Sequence, residues 1–353
     1  MPRLVRAATL AAGLAALLVG TAAAAPLKKV TLLQPVPAID IRNAPWAVAQ
    51  EMGWLAEAGL DVEVQPTKGA SVLIQQIMNG TAQYGMPPPE NVLVAYAKGA
   101  PLKFFFASTT RSPFPLAVLA DGPIKSPADL KGTTIGLHSM TAVQYYTTQS
   151  ILRSASLKLN SDFRYVEVGA GPSALKALQD GQIAALSTNV LNYAGFENRG
   201  ARFRYITTPE VEPIFAWGLV AKASYLESNR QEAVGLARAF IKGQIYCQAN
   251  PEGCVKAFFK RFPAARSPGT DEARAVMDQV RILRTFLDYS PHTPGKPWGW
   301  YDSDAWRAVV DYMVAGGQLE RALDPSGLYT NALLDEINDT DLKAVETGAK
   351  GSQ

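Results

Sequence analysis

Hydrophobic positions along the chain alternate between two spacings. Short segments such as "LDVEVQPT" (60–67) place apolar residues at every second position, which is typical of a strand. Segments such as "SVLIQQIMNG" (71–80) place them three or four apart and end at a glycine, which is typical of a helix. "PWAVAQEMGWLAEAG" (45–59) has the same spacing and is predicted as one helix ending at Gly59. This alternation predicts an α/β lobe with a mostly parallel sheet.

The same pattern returns in the middle of the chain. "SVLIQQIMNGTAQYGMPP" (71–88) and "SALKALQDGQIAALSTN" (173–189) both run from a serine through an amphipathic helix and a glycine into a strand. The strand then breaks into polar or proline residues in both. Identity between the two segments is low, so the pattern indicates one structural unit used once in each half rather than a sequence repeat.

Two turn-rich stretches flank the second unit and predict two crossings between lobes. They are "STTRSPFP" (108–115) and "TTPEVEP" (207–213), and residues 229–345 beyond them are largely helical. The chain therefore leaves the first lobe, builds the second and returns. We predict that lobe one comprises residues 26–110 and 214–345 and that lobe two comprises residues 111–213. Residues 346–353 are predicted to form a flexible tail.

The N-terminus has the three parts of a secretory signal. Residues 1–6 carry two arginines, and residues 7–25 form an apolar, alanine-rich run that ends in "TAAAAP". Residues 1–24 are predicted as a signal peptide cleaved near Ala24, which makes the protein periplasmic. An uncleaved membrane anchor is the alternative, but the alanine-rich composition is only weakly hydrophobic.

Charge and cysteine content limit the function further. Without the leader, Lys+Arg falls from 34 to 32 against 31 Asp+Glu, which gives no argument for nucleic acid or anionic lipid. Cys247 and Cys254 are separated by Asn250-Pro251, which predicts a corner between two helices. Such a corner would let an oxidising compartment join the cysteines, although two separate buried thiols remain possible. With two distant histidines, no metal cluster and no cofactor are expected.

Several segments in this order resemble a known family. They are "NAPWAVAQEMGWLAEAGLDVEV", "KGASVLIQQIMNGTAQYG", "AYAKGAPLKFFF", "SPADLKGTTIG" and "ALQDGQIAAL". The chain resembles the periplasmic substrate-binding proteins of ABC importers, in the branch for nitrate, alkanesulfonates, taurine and thiamine-pyrimidine precursors. That resemblance implies the type II fold, with two α/β lobes, two hinge strands and a ligand clamped between them. It also implies delivery by a monomer to a membrane permease and its ATPase. The sequence departs from the family where Gln83 and Ala184 replace common aspartates.

Four residues of the first lobe are candidate ligand contacts. Ser71 is predicted to cap a helix after the "TKGAS" turn, and Glu90 follows a proline-rich strand end. Glu90 would pair with a cationic or amine-bearing ligand, or would simply stabilise the first turn of its helix. Trp46 lies where the resembling proteins have an aromatic wall, and Trp217 lies near the second crossing. Flat rings would suit a ring-containing ligand, although such residues are commonly core.

Five residues of the second lobe are candidates as well. "IGLHSMTAV" (135–143) predicts a turn and a helix beginning near Ser139, whose free amides would face the cleft. His138, Ser139 and Thr141 would add side-chain hydrogen bonds, or Ser139 would be a plain cap and His138 a turn residue. The loop after the later strand supplies the remaining two candidates, Asn189 and Tyr193.

The sequence favours binding over catalysis. The G-x-S-x-G pattern of a nucleophile elbow is absent around Ser139, and His292 lies far along the chain. The alternative enzyme, of the thiamine-pyrimidine-synthase type implied by the resemblance, carries a cysteine-rich motif that this sequence lacks. A ligand-sensing subunit for a membrane receptor is a further alternative. The predicted function is therefore non-enzymatic capture of a small heteroaromatic or amine-bearing solute by hinge closure.

Overall fold

The chain forms two five-stranded sheets, one in each lobe. The computed structural model describes residues 26–140, 143–266, 269–290 and 292–351, so the predicted leader lies outside the described residues. The first sheet, in the order β2-β1-β3-β10-β4, contains β1 (Lys28–Gln34), β2 (Leu60–Pro66), β3 (Tyr84–Gly85), β4 (Leu102–Ala107) and β10 (Gly218–Lys222). The second, in the order β7-β6-β8-β5-β9, contains β5 (Leu116–Leu119), β6 (Thr133–Leu137), β7 (Phe163–Glu167), β8 (Ala185–Ser187) and β9 (Phe203–Ile206).

One strand of each sheet runs against the other four. In the first sheet it is β10, which pairs antiparallel with β3 and β4. In the second it is β5, which pairs antiparallel with β8 and β9. Each reversed strand follows a crossing, because β5 comes after residues 108–115 and β10 after residues 207–217. The chain thus enters each lobe from the other one, and the predicted α/β fold with mostly parallel sheets is confirmed.

Helices cover both faces of each sheet. The shorter helices of the βα units are α1 (Ala44–Glu51), α2 (Trp54–Glu57), α3 (Ala70–Met78), α4 (Pro89–Ala97), α5 (Val143–Ser154), α6 (Pro172–Gln179) and α7 (Val190–Glu197). After the second crossing come α8 (Ala223–Ser228), α9 (Arg230–Ala249), α10 (Pro251–Arg261), α11 (Glu272–Asp288), α12 (Ser303–Ala315), α13 (Leu334–Asn338) and α14 (Leu342–Lys350). Within the described ranges, none of these helices is long and apolar enough to cross a membrane.

The repeated unit of the sequence occupies the same place in both sheets. Strand β3 lies between β1 and β10, as β8 lies between β6 and β5. The match extends to individual backbone hydrogen bonds at the start of these strands, where Gln83 N donates to Thr31 O and Ala184 N donates to Thr134 O. Gln83, at a position where the family commonly has aspartate, also accepts a 2.8 Å bond from Thr31 N. The architectural similarity predicted between the halves is confirmed.

Alternation along the strands places a separate core on each face of a sheet. Leu32 of β1 packs in the cluster with α1 and α9, whereas its neighbour Leu33 packs with α3 and α12. In the second sheet Leu116 and Ala117 of β5 divide between two clusters in the same way. A further cluster joins the lobes and contains residues of α7, α10 and α11. The period-two pattern therefore fixes which helix covers which face.

Two local predictions are wrong. Residues 45–59 form two helices rather than one, because Gly53 adopts a left-handed conformation (φ 77°) between α1 and α2. Residues 346–350, predicted as flexible, belong to α14. There Ala349 is buried, and its carbonyl accepts a 3.2 Å bond from Asn250 Nδ2. Polar composition alone did not reveal this docking.

A disulfide joins α9 to α10. Asn250 ends α9, and its Oδ1 caps α10 by accepting a 2.8 Å bond from Gly253 N. The corner brings Cys247 and Cys254 together, with Cα atoms 5.0 Å apart and both residues fully buried. The bond closes a short loop in the helical layer that bridges the two lobes.

Replacing Cys254 with serine is expected to lower the free energy of unfolding by about 2 kcal/mol. The loss comes from the loop-closure entropy of a short cross-linked segment and from burial of a polar hydroxyl. Urea denaturation of the oxidised wild type and the variant measures the difference. Equal midpoints would show that the bond contributes nothing to stability.

Candidate ligand site between the two lobes

The carboxyl ends of the parallel strands in the two lobes face one another. Ile41, which follows β1, packs in one apolar cluster with Val190 and Leu191, which follow β8. Tyr146 of α5, which follows β6, packs against the cluster that contains Leu93 of α4, which follows β3. We call these loops and helix starts the interlobe seam; they comprise residues 35–46, 86–90, 138–148 and 188–192. Ligands of α/β proteins bind outside the carboxyl ends of strands, so the seam is the candidate site.

Residues 40–43 enter the seam as a short 3₁₀ turn before α1. Arg42 binds Asp40 at 2.6 Å, and its guanidinium carbon lies 4.6 Å from the ring centre of Trp217. Asn43 is buried and donates from Nδ2 to Asp40 O, while its Oδ1 is buried without a hydrogen-bond partner among the described residues. The first loop therefore offers one unused acceptor beside a stacked cation.

The turn before α3 is built differently from the sequence prediction. The N-cap is Gly69, whose φ of 112° lies in a region that favours glycine, so Ser71 is not the cap. Ser71 is exposed in the first turn, and Thr67 Oγ1 instead closes the loop by donating to Gln34 O at 2.9 Å. Ser71 therefore lies on the surface, outside the seam residues.

Glu90 is buried in the first turn of α4. Its Oε1 accepts a hydrogen bond from the hydroxyl of Tyr312, while Oε2 is buried and has no partner among the described residues. Removal from water raises the pKa of Glu90 to about 7, and the bond from Tyr312 only partly opposes this rise. Stabilising the first turn of α4 therefore does not account for Glu90 fully, because one of its two buried carboxyl oxygens has no hydrogen-bond partner among the described residues.

His138 and Ser139 lie in the loop that follows β6. The described part of α5 begins at Val143, and Thr141 lies outside the described residues. Ser139 Oγ and Met140 N both donate to Glu167 Oε1, which holds the loop against β7. His138 N donates to Ser187 O, and partial burial of the ring lowers the pKa of His138 against the opposing influence of Glu167.

Asn189 and Tyr193 have structural roles in α7. Asn189 caps the helix, with Oδ1 accepting from Leu191 N and Asn192 N at 3.1 Å each. Tyr193 is fully buried; its hydroxyl bonds to Leu186 O and Pro115 O, and accepts from Thr188 N. Tyr193 therefore lies in the core of its own lobe, with its hydroxyl satisfied there, and does not project from the loop after β8.

The two tryptophan candidates are packed rather than open. Trp46 is 1% exposed and lies 4.5 Å from the ring of Phe240, so its ring packs in the α1–α9 core. Trp217 is 6% exposed between Arg42 on one side and Phe114, 5.8 Å away, on another. Trp217 thus lies where both crossings and the first seam loop meet.

Gln144 is a further seam residue, and no motif in the sequence indicated it. It lies in the first turn of α5 and is 5% exposed, and its Oε1 has no hydrogen-bond partner in the described part of the chain. Its backbone carbonyl accepts from Ser187 Oγ, which places the residue at the end of β8. One hint of this role is present in the sequence: Gln144 is polar, although a helix that follows a central strand buries a residue at this position.

One cavity opens at the seam. It has a volume of about 210 Å³ and lies between residues 39–41, the N-terminus of α7 with Asn189 and Asn192, and the helices α10 and α11. Both lobes line it, together with the carboxylate of Asp40 and the amide of Gln279. Among the described residues no group of three or more His, Cys, Asp or Glu side chains is placed to hold a metal ion.

This architecture is that of the two-lobe periplasmic binding proteins. The periplasmic aliphatic sulphonate-binding protein SsuA of Escherichia coli superposes with a TM-score of 0.65 at 15% identity, over 85% of this chain and 91% of that one. The desulfurization enzyme DSZB also superposes, with a TM-score of 0.52 at 13% identity over 91% and 99% of the two chains. The fold is therefore shared by binding proteins and at least one enzyme.

Sequence comparison identifies the family. The family model described as NMT1/THI5 like matches residues 41–254, and the chain belongs to this family. A formylaminopyrimidine-binding protein of Halalkalibacterium halodurans is 24% identical over 283 residues, which cover 78% of this chain and 81% of that one. The riboflavin-binding protein RibY of Chloroflexus aurantiacus is 23% identical over 318 residues, covering 88% and 89%. Both relatives are named as binding proteins.

Proposed function

We propose that the protein is the solute-binding component of an ABC importer and holds a small molecule in the interlobe seam. The observation that supports this most strongly is a pair of buried acceptors, one in each lobe. Glu90 Oε2 belongs to the first lobe and Gln144 Oε1 to the second, and neither has a partner among the described residues. A buried polar group without a partner costs about 1–3 kcal/mol. A bound molecule that donates to both atoms would recover that energy and hold the lobes together.

The chemistry of these atoms favours a nitrogen-containing ligand. An amide oxygen accepts only, and the carboxyl of Glu90 accepts from an N–H or, when protonated, donates to a ring nitrogen. A heteroaromatic compound with amino groups offers both kinds of partner on one rigid plane. The names of the two relatives, for a formylaminopyrimidine and for riboflavin, fit the same class. A small anion such as nitrate would place its charge beside Glu90, which is unfavourable.

Closure would proceed by bending at the two crossings. The crossings are bonded to each other, because Thr109 Oγ1 accepts from Ala216 N and Trp217 N at 2.9 and 3.1 Å, and Ser112 N donates to Glu212 O. A ligand that contacts both lobes lowers the free energy of the closed state only. In the proposed cycle the exported monomer, freed of residues 1–24 by cleavage near Ala24, delivers its ligand to a membrane permease with a cytoplasmic ATPase.

Tryptophan fluorescence of the mature protein tests this function. The panel contains aminopyrimidines, riboflavin, an aromatic carboxylate, taurine and nitrate. We expect saturable, reversible quenching by at least one nitrogen heterocycle, because Trp217 lies beside the hinge, and no response to nitrate. Chromatography after long incubation should return the compound unchanged. Conversion of any panel member would favour an enzyme, and binding without uptake through a permease would favour a receptor subunit.

A further inference from the structure

Helix α12 of the first lobe contacts elements of both lobes. It packs on α4 of its own lobe and also on α5 of the second lobe. Near the C-terminus of α5, Arg153 Nη1 donates to Ala315 O at 3.0 Å. Near its N-terminus, Tyr146 packs against the apolar cluster that contains Tyr312 of α12. The lobes can therefore separate on this side only if α5 leaves α12.

Glu90 lies in this junction. Its carboxyl group is buried against the hydroxyl of Tyr312, and its charge acts on the phenol of Tyr146 from the second lobe. These two phenols are the titratable groups that face it from α12 and α5, and α3, which also packs on α4, has no ionisable residue. Among the described residues, no cation contributes to the titration of Glu90. The junction thus encloses an acid with no compensating positive charge.

We propose that closing the lobes takes up one proton at Glu90, so that acid favours the closed state even without ligand. The proposal rests on the hinge closure of the proposed function, but not on the identity of the ligand. When α5 lies on α12, Tyr146 covers one side of the junction and the carboxyl is shielded from water. When α5 moves away, water reaches the carboxyl and solvates its ionised form. Closure and protonation are therefore linked.

The sign of the linkage follows from the two pKa values. Burial raises the pKa of Glu90 to about 7 in this structure, in which α5 lies on α12, against 4.5 for a glutamate in water. The proposal takes this arrangement as the closed state. Between these values the closed state binds more protons than the open state. The closed-to-open ratio has its highest value below about pH 4.5. It falls by up to tenfold per pH unit as the pH rises towards 7, and above pH 7 it stays at its lowest value. The penalty at alkaline pH is the cost of a buried, uncompensated carboxylate.

Energy transfer between dyes on the two lobes measures this directly. The dyes are attached at Glu63→Cys and Arg164→Cys, which are exposed positions on β2 and β7, the corresponding edge strands of the two sheets. The mature, ligand-free protein is studied from pH 5 to pH 8.5. We expect the closed-to-open ratio to fall at least tenfold between pH 5 and pH 8. A ratio that does not change with pH would overturn the proposal.

Variants identify the group responsible. Glu90→Gln should remove the pH dependence, whereas Glu232→Gln should retain it, because Glu232 is held by Tyr84 and Tyr225 inside the first lobe. If Glu90→Gln does not fold, Tyr146→Ala, at a half-buried position, should reduce the dependence by admitting water. Full dependence in either Glu90→Gln or Tyr146→Ala would contradict the role of Glu90. If closure depends on pH but no compound of the fluorescence panel binds, the proposed function is refuted and the proton linkage at Glu90 still stands.

Discussion

Gln144→Leu is expected to weaken binding of the panel compound that quenches most strongly by about tenfold to a hundredfold. The amide oxygen of Gln144 is buried without a described partner, so in the ligand-bound protein it would accept from the ligand. Leucine has a similar volume but leaves the ligand donor unpaired, which costs about 1–3 kcal/mol. The free protein should be as stable as the wild type or more stable, since a buried polar group is removed. Titration calorimetry and urea denaturation measure the two quantities.

Gln149→Leu is the matched control for this prediction. Gln149 lies on the same helix, after the last seam residue, and its Nε2 already donates to the hydroxyl of Tyr145 at 2.8 Å. Its replacement should leave affinity unchanged. Loss of affinity in Gln149→Leu, or unchanged affinity in Gln144→Leu, would remove Gln144 from the site.

Gly243→Ala is expected to lower the free energy of unfolding by about 3 kcal/mol. Gly243 lies where α9 crosses α1, and a Cβ atom there would lie 2.1 Å from the carbonyl oxygen of Pro45. This neighbour is backbone at the start of α1, so it cannot rotate away as a side chain would. The overpacking cost therefore outweighs the gain in helix propensity, which is about 1 kcal/mol.

Gly195→Ala tests whether the effect comes from this contact. Gly195 lies inside α7, and an added Cβ would meet only Ile282 at 4.0 Å. There the change should stabilise the protein by up to about 1 kcal/mol, because alanine favours the helix. Chemical denaturation of both variants gives the comparison. Equal effects of the two substitutions would show that the α1–α9 contact is not tightly packed.

The sequence predicted the fold well because the fold depends on local patterns. Period-two segments became strands, and glycine-terminated amphipathic segments became helices. Asn250-Pro251 formed the corner that brings Cys247 and Cys254 together. The exception in the first lobe was Gly53, which lies inside a helical pattern but breaks the helix. Composition cannot distinguish such a glycine from one that a continuous helix tolerates.

The site was predicted less well because burial and pairing depend on distant parts of the chain. Glu90 was selected for its position, but its partner Tyr312 lies 222 residues later, and no local pattern joins them. Trp46 and Tyr193 were selected because rings suit ligands, yet both rings are packed in the core, and the hydroxyl of Tyr193 is hydrogen-bonded there. Gln144 was missed because an isolated glutamine in a helix is usually exposed. Only the packed structure shows that its amide is buried without a described partner.

The most direct test of the central claim is a crystal structure of the mature protein with the panel compound that binds most tightly. We predict electron density for the compound between the lobes, with one donor within hydrogen-bond distance of Glu90 and another near Gln144. The two crossings should be the only segments whose backbone angles differ greatly from those of the ligand-free form. Density confined to one lobe, or a compound bound outside the seam, would contradict closure around a shared ligand.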